Sequence, residues 1–562
     1  MKKMSPFLAV VIMLSMILAA CQPAAPAAPE PTTEIIDFNP TLGSVQPTSP
    51  AATQPPATEE TAAPAETEKV ADPDATVTVA LETIIENLDY MTNSSLNAAG
   101  IFEMMHSTLV TLDDNVTLQP SVATNWEVSE DGLVWTFHLR DDVTFWDGTP
   151  LTAEDVKYTF ERMQEDPYNI GNTNYLNTQF NFDKAVVVDP YTIEVYTRVP
   201  VPALLYTIEE INILPKHVYE TLTPEQAAAE TIMGSGPFKF VSFTKDDRVV
   251  LERYDGYWEG PAAFKTLIYR AIPEASTRVA ELETGGVDVI QNVPMAQLST
   301  INAMPNASAK AMINGCRMYL GFNHESPIYS DVNVRLAMNH AIDWDTINQA
   351  FFQGNAPRLA VHINKPWRNE ALEPYPYDLA KVDELMTASG WTKNAAGYWE
   401  KDGQELAPSI MVYYAQSSER YEILLSLVDQ LNKAGFKAEP YYLESAAAFE
   451  KLDKREVDDM FMIGSCTSYE GQGDLSDLAA DSASNYGRWR NDEFEEVYAQ
   501  LLTEFDVETR RELIYQLQDI IYADAPQIPL YVMIGVWGIN NDLDWSPNPA
   551  GRALMYGAVK YK

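Results

Sequence analysis

The sequence is poor in basic residues: 38 lysines and arginines stand against 81 aspartates and glutamates, giving a formal net charge of −43. The acidic residues are spread along the whole chain and are not gathered in one tail. Such a chain repels phosphates, so its charge argues against nucleic-acid binding. An acidic surface most simply keeps a protein soluble, and the alternative is an acidic cleft that selects cationic ligands.

Motifs of common enzyme classes are also missing. The sequence contains no G-x-S-x-G, no H-E-x-x-H and no C-x-x-C, and its six histidines are dispersed. The pair His324–Glu325 is the nearest approach to a zinc motif but lacks the second histidine, and no phosphate-loop Lys-Ser/Thr pair follows Gly234 and Gly236. We therefore expect a protein that is not an enzyme and holds no metal or cofactor. In so acidic a chain, a secreted hydrolase with a carboxylate pair stays an alternative.

Long apolar runs are scarce as well. The run from Phe7 to Ala20, which follows Lys2 and Lys3, is short for a membrane span and typical of a secretory signal. Its end, Leu18 to Cys21, resembles the lipobox of bacterial lipoproteins, which implies that Cys21 is acylated and becomes the mature N-terminus. An ordinary signal peptide with an incidental cysteine is the alternative. Several acyl chains on one residue would form a stable membrane anchor.

Residues 21–74 contain mostly proline, alanine, threonine and glutamate, with few large apolar side chains. This composition cannot offset the entropy lost on folding, and its prolines favour an extended chain. We predict a signal peptide over residues 1–20 and a disordered tether over residues 21–74. The rest of the 562 residues is long enough for two or three lobes.

The most informative stretch runs from Leu118 to Met163. Apolar and polar residues alternate after the turn Asp131–Gly132, which predicts a hairpin with a half-buried strand. Thr152, with Asp155 three residues later, predicts the capped start of a helix. Further periodic segments predict strands at 75–82, 185–197, 412–416 and 437–443, and helices at 101–110, 382–391 and 419–434.

This stretch resembles the oligopeptide- and dipeptide-binding proteins, which are the family 5 solute-binding proteins of ABC importers. The matching residues are Pro120, Ala123, Trp126, Asp131, Gly132, Phe137, Leu139, Arg140, Val143, Phe145, Asp147, Gly148, Pro150, Thr152, Ala153, Asp155 and Val156. Later runs at 234–240, 276–294 and 318–343 resemble the same family. The resemblance covers the chain from about residue 76 to 562.

The resemblance implies an α/β fold like that of periplasmic binding proteins of the class II, cluster C type, with two large lobes, an extra subdomain and a cleft. Lobe I would comprise residues 76–112, 232–313 and 527–562, lobe II residues 113–231, and lobe III residues 314–526. Two connections near Ile313 and Pro526 would form the hinge. The implied protein is a monomer that is lipid-anchored outside the cytoplasm, at the cell surface or in the periplasm, and delivers a peptide to an ABC permease and its ATPase. An oligosaccharide, a metal chelate or another solute is the alternative ligand.

The resemblance also implies ligand-binding residues. They are Thr83, Ile84 and Ile85 at a strand end, the aromatic side chains His362, Trp367, Tyr414 and Trp489, and the loop residues Cys466, Ser468, Tyr469 and Glu470. Ser468 stands where peptide binders of this family carry the aspartate that holds the ligand's ammonium group. A hydroxyl supplies no charge there, and losing such a charge-assisted hydrogen bond costs about 1.5–3 kcal/mol. Glu470 or Asp474 could reach in instead.

Two cysteines remain besides Cys21, and an exported chain permits their oxidation. Spacing alone does not establish a bond between Cys316 and Cys466, and two unpaired buried thiols are the alternative. The resemblance implies the bond, because oligopeptide binders carry a disulfide at both matching positions.

Overall fold

A computed structural model describes residues 69–562 except 94, 114–115, 166–176, 178, 230–231, 364–365, 417, 467–470 and 548–550. The predicted signal peptide, Cys21 and most of the predicted tether lie outside the described residues, as do Ser468, Tyr469 and Glu470. No helix in the described ranges is both long and apolar enough to cross a membrane.

Strands and helices alternate over most of the described chain. The strands are β1 (Thr76–Leu81), β2 (Val110–Leu112), β3 (Leu118–Pro120), β4 (Ala123–Val128), β5 (Val134–Leu139), β6 (Phe182–Asp189), β7 (Thr192–Thr197), β8 (Phe238–Thr244), β9 (Arg248–Arg253), β10 (Thr266–Ala271), β11 (Val289–Val293), β12 (Ala307–Phe322), β13 (Thr392–Lys393), β14 (Trp399–Lys401), β15 (Gln404–Glu405), β16 (Ser409–Val412), β17 (Glu439–Tyr442), β18 (Met460–Cys466), β19 (Gln527–Asn540), β20 (Leu543–Asp544) and β21 (Val559–Lys560). The α-helices are α1 (Leu96–Glu103), α2 (Ala153–Arg162), α3 (Leu204–Ile208), α4 (Lys216–Tyr219), α5 (Pro224–Ala229), α6 (Ala275–Glu283), α7 (Leu298–Asn302), α8 (Val332–His340), α9 (Trp344–Phe352), α10 (Leu379–Ala388), α11 (Glu419–Lys433), α12 (Ser445–Asp453), α13 (Gln472–Ser476), α14 (Asp492–Leu501) and α15 (Val507–Asp524).

A ten-stranded sheet forms the centre of the molecule, in the order β17-β16-β18-β12-β19-β11-β1-β10-β9-β8. The long strands β12 and β19 pair with each other along most of their length and link its two halves. We call β11, β1, β10, β9 and β8 the β1 half, and β18, β16 and β17 the β18 half. In the β1 half β1 is parallel to β10 and β11, and in the β18 half β16 is parallel to β17 and β18.

The register of β12 against β19 shifts where the two halves meet. Ile313 pairs with Ile534, and the next pair is Arg317 with Val532. Gly315 lies inside this irregularity with a φ of 77°, a left-handed conformation that glycine adopts easily. We call this place the crossing. Met533 is the β19 residue opposite the crossing. Pro526, which we predicted to be near the hinge, lies instead immediately before β19 begins, away from the crossing.

A separate four-stranded antiparallel sheet, β4-β5-β7-β6, contains the hairpin that the sequence predicts. Trp135, Phe137 and Leu139 of β5 are buried, and the residues between them are partly exposed. The helix α2 begins with the predicted capping box, in which the Thr152 backbone N–H donates to the Asp155 carboxylate over 2.9 Å. The turn, the alternation and the cap are confirmed.

Three predicted elements have wrong bounds. The helix predicted at 382–391 begins at Leu379, after the cap at Asp378, and ends at Ala388. Ser95 caps α1 by accepting from the Ala98 N–H, so this helix begins earlier than predicted and ends at Glu103. The carbonyls of Met104 and Met105 accept from the backbone of Phe238 and Gly236 instead of continuing the helix. The strand predicted at 412–416 ends at Val412, because the chain then turns into the cap of α11.

Candidate functional site

The carboxyl ends of the parallel strands in both halves point toward the crossing. The end of β11 pairs with β19 at Val536, close to the crossing, and β1 and β10 run parallel to β11. In the β18 half the end of β18, Cys466, pairs with Cys316 at the crossing, and β16 runs parallel to β18. Ligands of α/β sheets bind at the carboxyl ends of the strands. The crossing is therefore the candidate binding site.

The β1 half contributes a rigid edge. Thr83 follows β1 and is exposed, whereas the side chains of Ile84 and Ile85 are buried in the apolar core of this half. The buried Arg278 guanidinium donates to the carbonyls of Ile272 over 2.5 Å and Asn292 over 2.9 Å. Because these carbonyls lie near the ends of β10 and β11, Arg278 fixes the two strand ends relative to each other.

The β18 half contributes Tyr414 and Arg420. The Tyr414 hydroxyl accepts from the Tyr413 hydroxyl over 3.0 Å, and burial raises the pKa of Tyr414. The guanidinium carbon of Arg420 lies 4.9 Å from the centre of the Tyr414 ring, and Arg420 Nη2 lies 3.8 Å from the Met533 sulfur. Arg420 is partly exposed and forms no ion pair with any residue that the structure describes. Sequence reasoning missed Arg420, because one arginine near a helix start carries no motif.

A disulfide joins β12 to β18 where both strands reach the crossing. Cys316 and Cys466 are bonded, with Cα atoms 4.1 Å apart, as the resemblance implies. Next to it, the fully buried Arg317 forms an ion pair with Asp474. Ser465 Oγ donates to Asp477 Oδ2 over 2.6 Å, and burial raises the pKa of Asp477. Asp474 is therefore engaged inside the fold.

His362 and Trp367 pack behind this edge. The His362 ring centre lies 4.4 Å from that of Tyr319, and both of its ring nitrogens are buried with no hydrogen-bond partner in the described chain. Burial first, and the nearby Arg317 second, hold the pKa of His362 well below its ordinary value, so the ring is neutral. Trp367 is buried against Gly471, the first described residue after 467–470.

Trp489 lies elsewhere. It is buried beyond Phe322, the end of β12 that is remote from the crossing, and its indole N–H donates to Asp524 over 2.6 Å. The structure thus brings Thr83, Tyr414 and Cys466 to the strand ends that face the crossing, places His362 and Trp367 behind them, and separates Trp489 from them. Within the described ranges no group of three or more histidine, cysteine, aspartate or glutamate side chains could hold a metal ion.

Comparisons with known proteins give one consistent result. The family model described as bacterial extracellular solute-binding proteins, family 5 Middle, matches residues 117–486. Heme-binding protein A of Haemophilus influenzae is 26% identical over 495 residues, covering 83% of this chain and 88% of that protein. Glutathione-binding protein GsiB of Escherichia coli K12 is 26% identical over 478 residues, covering 81% and 88%.

Solved structures show the same fold. HbpA2 from Haemophilus parasuis superposes with a TM-score of 0.78 at 25% identity, covering 87% of this chain and 100% of that one. NikA from Brucella suis in complex with Fe(III)-EDTA gives a TM-score of 0.76 at 22% identity, with coverages of 87% and 100%. At that identity the second likeness concerns the fold alone.

Proposed function

The chain belongs to the bacterial extracellular solute-binding proteins, family 5, and we propose that it is a lipid-anchored member which binds a small peptide at the crossing. A protein of this family is an extracytoplasmic binding component of an ABC importer and not an enzyme. The peptide, the anchor and the residues that hold the ligand are the new elements of the proposal.

One observation carries the choice of ligand. Arg420 is a partly exposed cation in the first turn of α11, beside Tyr414, which follows a parallel strand that points to the crossing. It forms no ion pair with a described residue, although Glu419 lies near enough to interact with it electrostatically. A guanidinium pairs well with the flat, two-oxygen geometry of a carboxylate. A peptide presents such a group at its free end, so Arg420 is suited to hold the ligand's carboxyl terminus.

The relatives' names agree with a peptide but do not select one. One relative is named for heme and another for glutathione. Because Ser468 offers no charge for a ligand ammonium group, the ligand's carboxylate would contribute more of the binding free energy than its ammonium group. An oligosaccharide is the second candidate, because the predicted aromatic residues would suit a sugar face as well as a peptide side chain. All four of them, His362, Trp367, Tyr414 and Trp489, are however buried in the protein.

Closure of the two halves would complete the site. We propose that the crossing acts as the hinge, since only contacts made from both halves favour the closed state. The lobes would have the predicted limits, except that the boundary predicted near Pro526 would lie near Met533 instead. The tether and a lipid on Cys21 would keep this monomer near its permease. Palmitate labelling of the wild type, and none of Cys21→Ser, is the expected result for the anchor.

Calorimetry on the full chain in detergent tests the ligand. We expect heat with short peptides and none with cello-oligosaccharides. Arg420→Ala should weaken peptide binding by about 10-fold to 150-fold, the value of one charge-assisted hydrogen bond of roughly 1.5–3 kcal/mol. Amidation of the peptide carboxyl terminus should have a similar effect on the wild type and little on the variant.

The matched control is Arg248→Ala, which removes an exposed arginine that pairs only with its neighbour Asp247 among described residues. It should bind peptides as the wild type does. Tight sugar binding without peptide heat, or full tolerance of amidation by the wild type, would contradict the proposal.

A further inference from the structure

A second concave site lies at the remote end of β12, away from the crossing. A cavity of about 580 Å³ is lined by His324, Glu325, Ser330, Arg335, Arg455, Ala480, Arg488, Trp489, Arg490 and Asp524. Six strand residues separate Cys316 from Phe322, where β12 ends, which is about 20 Å at 3.3 Å per residue. A ligand in this cavity would not touch the crossing.

Four of the lining residues are arginines, although the chain as a whole has a formal charge of −43. Arg335 is buried and pairs with Asp524 over 2.5 Å, and the other oxygen of Asp524 accepts from Trp489. Glu325 pairs with Arg488. These two carboxylates are thus already engaged by protein groups.

The other two arginines have no carboxylate partner among the described residues. Arg455 Nη2 donates to the Ser482 carbonyl over 2.8 Å, which fixes the side chain without neutralising it. Arg490 is exposed at the cavity and forms no ion pair with a residue that the structure describes. His324 adds no charge, because burial lowers its pKa to about 4. The four guanidiniums and two carboxylates leave the cavity with two uncompensated positive charges.

Two of these arginines have a left-handed backbone, and Arg455 has it where the helix α12 ends. Arg455 has a φ of 56° and Arg488 a φ of 58°, in the left-handed region that side chains other than glycine disfavour. The two are linked, since the Arg488 guanidinium donates to the Arg455 carbonyl. Strained positions of this kind concentrate at binding sites.

We propose that this cavity binds a phosphate group, held by Arg455 and Arg490 with Arg488 beside them. Guanidinium groups match the tetrahedral oxygens of phosphate and are weakly hydrated, so several of them together select a multiply charged oxyanion. Arg335, tied to Asp524, forms the inner wall. The phosphate comes from a small soluble ester or from a lipid head group, and both share this chemistry.

Calorimetry of the full chain with pyrophosphate tests the site at low ionic strength, with sodium chloride as a matched salt blank. The wild type should bind, and the double variant Arg455→Ala/Arg490→Ala should bind at least 10-fold more weakly. Arg248→Ala, with an exposed arginine of the β1 half removed, should bind unchanged. Peptide binding should be the same in all of these proteins, which separates this site from the crossing.

Water-soluble dihexanoyl phosphatidylglycerol distinguishes the two sources of phosphate. Tighter binding of pyrophosphate would identify a small soluble phosphate compound as the ligand, and tighter binding of the lipid would identify a head group. No heat with either compound, or equal binding by the wild type and the double variant, would overturn the proposal. Circular dichroism of the double variant checks its fold. The single Arg490→Ala change, at an exposed position, should also weaken pyrophosphate binding, which tests the site in a variant with less risk of misfolding.

Discussion

Two buried arginines connect distant segments of the chain, and they differ in charge balance. Arg317 on β12 pairs with Asp474, 157 residues away, next to the disulfide. Arg552 pairs with Glu103 at the end of α1 and with both oxygens of Glu209, over 3.1 and 3.2 Å. The first connection has a covalent bond beside it, whereas the second has none and is held by ion pairs, hydrogen bonds and apolar packing.

The Arg552 cluster is also more acidic than the Arg317 cluster. Glu210 is a third carboxylate 3.8 Å from Arg552. Burial raises the pKa of Glu103 to about 7, although Arg552 acts in the opposite direction. We call these two connections the Arg317 seam and the Arg552 seam. They are similarly buried, but they should respond to different conditions. Reduction should act on the Arg317 seam, and pH should act on the Arg552 seam.

We expect the largest loss of stability when the guanidinium of either seam is removed. Breaking a buried ion pair costs about 3–5 kcal/mol, because the remaining charge stays buried. Arg552→Met leaves three carboxylates without their cation, so we expect a loss near the upper figure, and Arg317→Met a loss near the lower one. Urea unfolding followed by tryptophan fluorescence at pH 8 measures both. Arg248→Met, at an exposed position, should change stability by less than about 0.5 kcal/mol. A larger effect at Arg317 would reverse the comparison.

Breaking the disulfide should have the next largest effect. Cys316 and Cys466 are 150 residues apart, and the chain-entropy model gives about 5 kcal/mol for so long a loop, with measured values more often about 2–4 kcal/mol. We expect Cys316→Ala/Cys466→Ala to lose stability within that range. Dithiothreitol should destabilise the wild type equally and leave the variant unchanged. An unchanged wild type under reduction would show that the bond contributes nothing to this seam.

The pH dependence should be the smallest of the three effects. The ordinary pKa of Glu103 is 4.5 and its pKa in the fold is about 7, so between these values the native state holds a proton that the unfolded chain has lost. The contribution of Glu103 to the free energy of unfolding therefore falls as pH rises through this window, by up to about 3.4 kcal/mol. The buried histidines His106, His324 and His362, whose pKa values are lowered, contribute in the opposite direction over the acidic part of the window.

Urea unfolding from pH 4.5 to 8 measures this change. The stability of the wild type minus that of Glu103→Gln should fall from pH 4.5 to 8, because the histidine contributions cancel in this difference. The same difference taken with Glu130→Gln, at an exposed position, should stay constant. A wild type that gains stability between pH 5 and 7, compared with Glu103→Gln, would contradict the assignment.

Local signals in the sequence predicted the local structure well. The turn at Asp131–Gly132, the alternation of β5 and the cap at Thr152 each depend on residues within a few positions of one another. The order of the ten-stranded sheet depends on pairing between segments hundreds of residues apart, such as β1 with β10, so periodicity alone could not predict it. The family resemblance implied lobes built from separated segments but gave no strand order.

The candidate site was predicted only in part, for a physical reason. An aromatic residue reads the same in sequence whether its ring faces a ligand or the core, and Trp489 is buried against Phe494. Arg420, Arg455 and Arg490 belong to no motif and become meaningful only through their neighbours in space. The two cysteines were easier, because their number is small and the family pairs them.

The position of β19 has a consequence for the order of folding. It is the last long strand of the chain, but it lies in the middle of the sheet between β12 and β11. Until residues 527–540 arrive, those two neighbours each present an unpaired strand edge, which is where other chains add and aggregation begins. The two halves can collapse locally beforehand, yet neither can be sealed. The sheet is therefore complete only when β19 occupies the gap between β12 and β11, and its pairing protects both edges at once.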